Sequence, residues 1–447
     1  MAIVAAVESG EALKRQHVGS IAPAAPKTRD VAKAPNIWFE VEDLLLACAW
    51  HRHPTGLERV ALEIIDAAQR EFGGRIGVVR MGLLTGRLTD VGAGWLAQWC
   101  GAGALQQRAP GQLAQRLRCV WRLTQLGLRT FTARRADKQM QRGDVIVSLG
   151  GSWIHRGYAK RIAALKKKRG VGFACMIHDI IPLVERDRVD AAHVRNFRRW
   201  LPQMLRVADR VFTPSDYARA DLQKYARKKG WKMPPVSAIR YGPGLLPRET
   251  PTANAGPELP QDFVACVSTI TAHKNQAMLV RLWRRLLQRH EAASVPHLVL
   301  VGAIGGKPES FRAELAQSAG VHDKIIVLSG LTDAELASVY ARCRLTLFPS
   351  FSEGWGLPVE ESLAFGKFCI SSNRASLPEV GGDWVDYFDP GNDAEAYAAI
   401  ERALFQPGYL EDRTARIQRD YRAPTWTACA RHLVATIDAP GVAASSR

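Results

Sequence analysis

Residues 349–367 read PSFSEGWGLPVEESLAFGK. Two carboxylates, Glu353 and Glu361, are separated by two glycines, a tryptophan and a proline. Such a pair can do acid–base work, can position a polar ligand, or can be the solvated acids of an ordinary helix. The residues between them narrow the choice. Pro358 is well placed at the first position of a helix, so SEGWG reads as a loop entering a helix N-terminus. Glycine lets that loop turn tightly and approach a ligand closely. The N–H groups of Gly354, Trp355, Gly356 and Leu357 and the helix dipole would then favour an anion such as a phosphate. Glu361 is placed in the first turn, where a carboxylate suits the dipole and reaches a pair of sugar hydroxyls. Glu353 stands before the turn.

Three further segments carry residues of the same kind: VSTITAHKN with His273 and Lys274, IHDIIP with His178 and Asp179, and PTGLER with Thr55, Gly56 and Arg59. What unites them is their expected position. Each follows a segment with strand character, and in open α/β sheets ligands bind beyond the carboxyl ends of the strands.

The elements that must position these residues alternate. Ile37–Val41, Val145–Leu149, Gly172–Ile177 and Arg210–Thr213 read as strands in the first half, and DFVACVST, HLVLVGA, KIIVLSG, RLTLFPS and KFCISS in the second. Helical patterns lie between them. In HPTGLERVALEIIDAAQREFG, Thr55 and Glu58 fit a capping box and Leu57, Val60, Ala61, Ile64, Ile65 and Ala68 recur at helical spacing. The second half supplies NQAMLVRLWRRLLQRH, PESFRAELAQSAG, TDAELASVYARC and PVEESLAFG. This order predicts two doubly wound, Rossmann-like α/β domains facing across a cleft. The expected boundaries are a disordered tail over 1–34, a first Rossmann-like domain over 35–247, a Pro-rich linker over 248–260, a second Rossmann-like domain over 261–420, and a C-terminal helix and tail over 421–447.

The 447 residues are 47% hydrophobic, enough to bury proper cores, and carry a formal net charge of +18. Such a surplus implies an anionic partner, whether nucleic acid, membrane surface or phosphorylated substrate. No nucleic-acid-binding motif appears, and no nucleic-acid partner is expected. The basic segment 113–142 interleaves Leu117, Val120, Trp121, Leu123, Leu128 and Phe131 with Arg116, Arg118, Arg122, Arg129, Arg134 and Arg135. That pattern fits either a helix lying on an anionic membrane surface or one packed on its own domain with a solvated basic face. Eight scattered cysteines without ligand spacing read as reduced, buried thiols. No apolar run reaches the ~18 residues of a membrane span. The expected location is cytoplasmic, with any membrane contact peripheral and on the inner face.

SEGWGLPVEE is similar to the E-x7-E motif of retaining glycosyltransferases of family 4. The likeness continues through LTLFPSFSEGWGLPVEESLAFGKFCISSNRASLPEVGGD, VSTITAHKNQAMLVRLW and LSGLTDAELASVYARCRL, and in the first half through FEVEDLL, TGLERV, LGGSW, HDIIPLVE and SDYARADL, which resemble a bacterial polysaccharide-assembly branch that includes mannosyltransferases. The ordered set covers about residues 36–437. The resemblance implies a GT-B fold with a nucleotide sugar on the second domain and the acceptor mainly on the first. By carry-over, Glu361 would hold the donor ribose, Glu353 the donor sugar, Lys274 the diphosphate, and His178 would lie near the transferred sugar with Asp179 orienting it or the acceptor. His273 stands where the family often has a diphosphate-binding arginine, and Arg59 is the candidate substitute. No cofactor and no metal site is expected. GDP-mannose leads as donor over UDP-glucose, dTDP-rhamnose and GDP-fucose, and the implied acceptor is a polyprenyl-diphosphate-linked glycan. The alternatives are a sugar-nucleotide epimerase on the same fold, or a basic binding module without catalysis.

Overall fold

Strand β1 (Ile37–Glu40) begins a sheet whose next members are β2 (Ile76–Met81), β3 (Leu88–Asp90), β4 (Val145–Ser148), β5 (Gly172–Met176), β6 (Arg210–Thr213) and β7 (Val236–Ala238). Their spatial order is β3-β2-β1-β4-β5-β6-β7, with β3 antiparallel to β2 and all other pairs parallel. A second sheet follows from β8 (Phe263–Val267), β9 (His297–Val301), β10 (Ile325–Leu328), β11 (Thr346–Phe348), β12 (Cys369–Ser372) and β13 (Asp386–Phe388). Its order, β10-β9-β8-β11-β12-β13, is parallel throughout. The computed structural model describes residues 34–50, 56–82, 86–100, 111–155, 157–247, 256–317 and 321–439. Residues 35–447 form one unit. Residues 1–33 of the tail expected over 1–34 and residues 248–255 of the linker expected over 248–260 lie outside the described residues.

Both sheets reverse their strand order beside the first strand, between β1 and β4 and between β8 and β11. A crevice at the carboxyl end of the sheet is the consequence, because the crossovers on either side of that point run to opposite faces. The central strands are buried along their whole length, as parallel strands covered by helices on both faces must be. Helices supply the cover with one apolar stripe each. In Gln276–Arg289 the buried set includes Met278, Leu279, Leu282, Trp283 and Leu286, and in Gly56–Phe72 it includes Val60, Ile64, Ile65 and Ala68.

Helix starts follow local chemistry. Ser215 accepts from Ala218 N at the head of Asp216–Lys228, and Thr332 and Glu335 form a reciprocal capping box ahead of Asp333–Arg342. The helix Gly56–Phe72 begins one residue after Thr55, which lies outside the described residues, so the capping box drawn from its sequence has no described geometry. The basic segment forms a helix over Gly111–Thr132.

The helix Trp426–Asp438 packs on Gly56–Phe72 and is tied there by Arg431–Glu71 at 2.6 Å and Arg75–Asp438 at 2.7 Å. The last helix of the chain therefore holds the first lobe. All eight cysteines are buried and free.

Candidate functional site

At the mouth of β8, Ala272–Lys274 form one short 3-10 turn, and Asn275 takes the left-handed conformation at φ 61°. The Asn275 amide holds this turn by donating to Pro349 O at 3.2 Å and Pro390 O at 3.1 Å. Lys274 is thereby aimed at the loop after β11. Its Nζ meets Glu353 Oε1 at 2.6 Å, with both side chains mostly buried. Two residues 79 positions apart in sequence thus form the central ion pair of the crevice.

His273 faces the same loop. Its carbonyl accepts from Phe351 N at 2.8 Å and from Ser350 Oγ at 3.2 Å. Burial pushes its imidazole down to about 4, helped by the positive charges of Lys274 and Arg188, while Glu353 opposes them. The ring is therefore neutral at pH 7 and offers a single N–H. Arg59, the expected substitute cation, is engaged elsewhere: Nη1 donates to Gly244 O at 3.1 Å and Nη2 to Asp333 Oδ1 at 2.8 Å. The arginine that His273 feels is Arg188, whose guanidinium lies 4.0 Å from the centre of the Phe351 ring.

The first lobe reaches this loop through His178 and Asp179. The His178 ring is held on both sides. Nε2–H donates to Leu149 O at 2.7 Å, and Nδ1 accepts from the Tyr241 hydroxyl at 2.8 Å. A carbonyl can only accept, so the proton is fixed on Nε2. Burial lowers the ring to about 4, which keeps it neutral. Asp179 accepts from Ile181 N at 2.9 Å. Burial raises its carboxyl to about 6, with Glu353 adding to the rise and Lys274 opposing it. Contact between the lobes here is backbone against backbone. A Cβ on Gly354 would stand 2.0 Å from His178 O, so only glycine allows the approach. Ser215 Oγ closes the contact by donating to Gly354 O at 2.8 Å.

Trp355 is buried beneath the loop, and its indole N–H has no hydrogen-bond partner among the described residues. Its ring meets Tyr241 edge-on at 6.0 Å, and Tyr241 stacks on Trp426 at 5.8 Å. Gly356 has φ 129° and caps the helix Leu357–Ala364. Pro358 is the second residue of that helix, and Glu361 opens its second turn instead of sitting in the first; the first-turn acid is Glu360.

Glu361 belongs to a separate cluster on the flank of the loop. Its Oε2 accepts from the Tyr340 hydroxyl at 2.7 Å, and burial lifts its carboxyl to about 7 against the pull of Tyr340 and Arg59. A Cβ on Gly244 would lie 2.6 Å from Glu361 Oε1 and 3.0 Å from Arg59 Cδ, and one on Gly56 would lie 3.5 Å from Leu357 Cδ1. The heads of Gly56–Phe72 and Leu357–Ala364 therefore meet here. Two positive dipole ends converge on a site holding Arg59 and Glu361, an arrangement that favours an anion. Thr55, the remaining sequence candidate, lies outside the described residues.

Beside the loop a cavity of about 300 Å³ opens between the lobes, lined by Glu185, Tyr217 and Asp221 on one side and by Phe351, Ser352 and Arg374 on the other. Among the described residues no three or more His, Cys, Asp or Glu side chains gather as metal ligands.

Known proteins resemble both lobes. Residues 249–422 match the model described as glycosyl transferases group 1. That match takes in every strand of the second sheet. Residues 123–232 match the glucosyltransferase 3-like N-terminal domain. The chain is 28% identical over 252 residues to the serotype-specific mannosyltransferase WbdA of Escherichia coli, covering 54% of this chain and 30% of that protein. It is also 28% identical over 243 residues to the O-antigen chain mannosyltransferase B of Escherichia coli, covering 53% of this chain and 62% of that protein. These matches span less than two thirds of either relative.

Among solved structures, sucrose-phosphate synthase of Thermosynechococcus elongatus aligns over 90% of this chain and 98% of its own, with a TM-score of 0.60 and 17% identity. Anabaena Alr3699/HepE, solved with UDP and glucose, aligns over 90% and 97% with a TM-score of 0.53 and 16% identity. The fold is GT-B, and in sequence the chain resembles mannosyltransferases.

In both lobes, several positioning residues carry no sequence signal of their own. Tyr241 holds His178 within the first lobe. Glu379 accepts from Asp216 N and Tyr217 N, so a second-lobe carboxylate caps a first-lobe helix. Lys307 of the VGAIGGKP turn donates to Asp187 O at 2.6 Å. The last two act across the lobe boundary, and all three join residues far apart in sequence, a pairing that a local pattern does not show.

Proposed function

We propose that the chain is a retaining glycosyltransferase that moves a hexose, mannose from GDP-mannose as the leading donor, to a lipid-linked oligosaccharide during exopolysaccharide or O-antigen assembly. The observation that carries this reading is the Lys274–Glu353 pair at 2.6 Å, set at the switch point of the second sheet and followed by a helix N-terminus and Glu361.

In this reading the departing nucleoside diphosphate develops negative charge, which Lys274 and the two converging helix heads stabilise in place. Glu361 takes the donor ribose, and its high proton affinity lets it donate as well as accept. Glu353 positions the sugar. His178 keeps its ring neutral and its backbone against the loop, so it shapes the sugar pocket and does not act as the base. The bond to the leaving phosphate breaks on the face where the acceptor oxygen attaches. The phosphate oxygen left behind accepts the acceptor proton, and the configuration is retained. The cavity lined by Glu185, Tyr217 and Arg374 gives the reacting sugars room.

Membrane contact through 113–142 is part of the proposal, with support from the helix Gly111–Thr132. Val120, Trp121 and Leu128 are 61–63% exposed on it. The basic face is narrower than its sequence implies, because Arg122 is buried and donates to Cys48 O and Trp99 O, and Arg129 lies over the Trp95 ring. No described helix is long and apolar enough to cross a membrane.

A thermal-shift screen of nucleotide sugars followed by product analysis on lipid-linked saccharides tests the function. Binding to the native state raises Tm, and GDP-mannose is expected to raise it most. A larger shift with UDP-glucose, dTDP-rhamnose or GDP-fucose reassigns the donor. Nucleoside diphosphate released only when acceptor is present excludes the epimerase, and absence of any nucleotide-sugar binding contradicts the proposal.

A further inference from the structure

Beyond the residues assigned to the donor, the chain leaving β4 turns through Gly150–Trp153 along the floor of a second cavity. It has a volume of about 290 Å³ and lies between the head of Tyr158–Arg169 and the helix Ala191–Val207, lined by Trp153, Tyr158, Asn196, Arg199, Trp200 and Gln203.

One wall is aromatic and rigidly held. Trp153 meets Trp200 edge-on, with centroids 5.3 Å apart and planes at 88°. The Trp200 indole N–H donates to Ser152 Oγ at 3.0 Å, and Ser152 is itself buried. Phe197 backs Trp200 at 5.3 Å and His193 meets Trp153 at 5.4 Å. Trp153 lies down on Gly151, where a Cβ would come within 2.1 Å of the indole, so a glycine is required for the ring to take this pose.

The other wall is polar and exposed. Asn196, Arg199 and Gln203 stand three and four residues apart on one helix face. Asn and Gln each bring a donor and an acceptor, and Arg brings donors only. The Gln203 amide nitrogen is turned to Arg199 O at 2.9 Å, which leaves its carbonyl as an acceptor.

Flat apolar rings facing a rim of amide donors and acceptors match a pyranose, whose C–H face is apolar and whose edge is hydroxyl. Few-hundred Å³ pockets with an apolar body and a few placed polar groups are the ordinary form of small-ligand sites. The floor also connects to the site described above, since Leu149, at the start of the same turn, supplies the carbonyl that holds His178.

We propose that this cavity is a saccharide subsite holding a non-reacting sugar of the glycan acceptor. The identity of the occupant as acceptor rests on the glycosyltransferase reading; saccharide binding itself does not.

Saturation-transfer NMR on the full chain, with mannotriose as the probe and no nucleotide present, tests it. Mannotriose is expected to receive saturation at its C–H face. The double variant Asn196→Ala/Gln203→Ala, which changes only exposed side chains, is expected to reduce the saccharide signal at least about fivefold, and Trp153→Ala to abolish it. Circular dichroism and Tm should stay at wild-type values in the double variant. GDP affinity measured on the same samples should be unchanged. Absence of saccharide binding by the wild type, or equal binding by the double variant, overturns the subsite. Loss of GDP binding by the wild type with saccharide binding intact overturns the donor reading and leaves the subsite standing.

Discussion

At the scale of single residues, the crevice is a set of buried groups whose charges are set by burial and by one another. In the proposed reaction Lys274 is the cation that meets the leaving group, and removal of one such preorganised electrostatic contact costs about 10²–10³ in kcat. Lys274→Ala is therefore expected to lower kcat by that order while circular dichroism stays that of the wild type; unchanged turnover in the folded variant would contradict its role. Glu361 gives a prediction with a pH window. Its carboxyl sits at about 7 in the folded protein because burial disfavours the anion, against about 4.3 for a free glutamate. A raised value means the folded state holds the proton more tightly, so the contribution to stability is fully present below pH ~4.3 and is lost as pH rises through 7. Urea denaturation of Glu361→Gln should show its stability gaining on the wild type across that window. A difference that stays flat with pH would place the carboxyl at an ordinary value. The two carboxylates that first drew notice in the sequence thus separate by partner: Glu353 with Lys274, and Glu361 with Tyr340.

At the scale of elements, chemistry is delivered by strand exits and helix heads. Strands that are apolar throughout, such as FVACV in β8, were legible in the sequence, because burial on both faces leaves a continuous run. β7 and β13 were not, being three-residue edge strands with partly exposed residues. β2 was not legible for a different reason: IGVVRM carries Arg80, which is buried only because Glu42 pairs with it at 2.7 Å. Breaking a buried pair leaves an uncompensated charge. Arg80→Ala should therefore cost about 3–5 kcal/mol in chemical denaturation, and a loss under ~1 kcal/mol would show that Glu42 finds water or another partner. The loop after β11 was legible because its Gly, Pro and Glu residues all serve one short turn into the helix Leu357–Ala364. Tyr241, Ser215 and Glu379 do their work on partners more than sixty residues away, which local spacing does not encode. Glu379 caps Asp216–Lys228 from the other lobe, and loss of a cap costs about 1 kcal/mol. Glu379→Ala should raise the donor KM severalfold with kcat little changed. An unaltered KM would mean the contact does not hold the lobes together during binding.

At the scale of the whole molecule, two Rossmann-like lobes meet along a line of specific contacts: Arg59–Asp333, Lys307–Asp187, Ser215–Gly354 and Arg188 on Phe351. Trp355, Tyr241 and Trp426 form an aromatic brace from the loop after β11 to the C-terminal helix. The two doubly wound domains were legible from the repeated βα order, and the GT-B arrangement from the family resemblance. The contacts that close the lobes were not, since they depend on side chains brought together only by folding. The proposed membrane contact rests on the net charge of +18 and on the exposed Val120, Trp121 and Leu128. Sedimentation with vesicles containing anionic phosphatidylserine should fall on Trp121→Ser/Leu128→Ser and with rising salt, and cosedimentation insensitive to both would assign the helix a structural role alone. The central claim is that the Lys274–Glu353 site of the second lobe serves transfer from a nucleotide sugar to a glycan acceptor. It is tested most directly by incubating wild type and Lys274→Ala with GDP-mannose and an extracted lipid-linked saccharide, and measuring both released GDP and sugar incorporated. The expected result is equimolar GDP and incorporated mannose with the wild type and about 10²–10³ less with the variant. Equal turnover by the two proteins, or GDP released without incorporation, would contradict it.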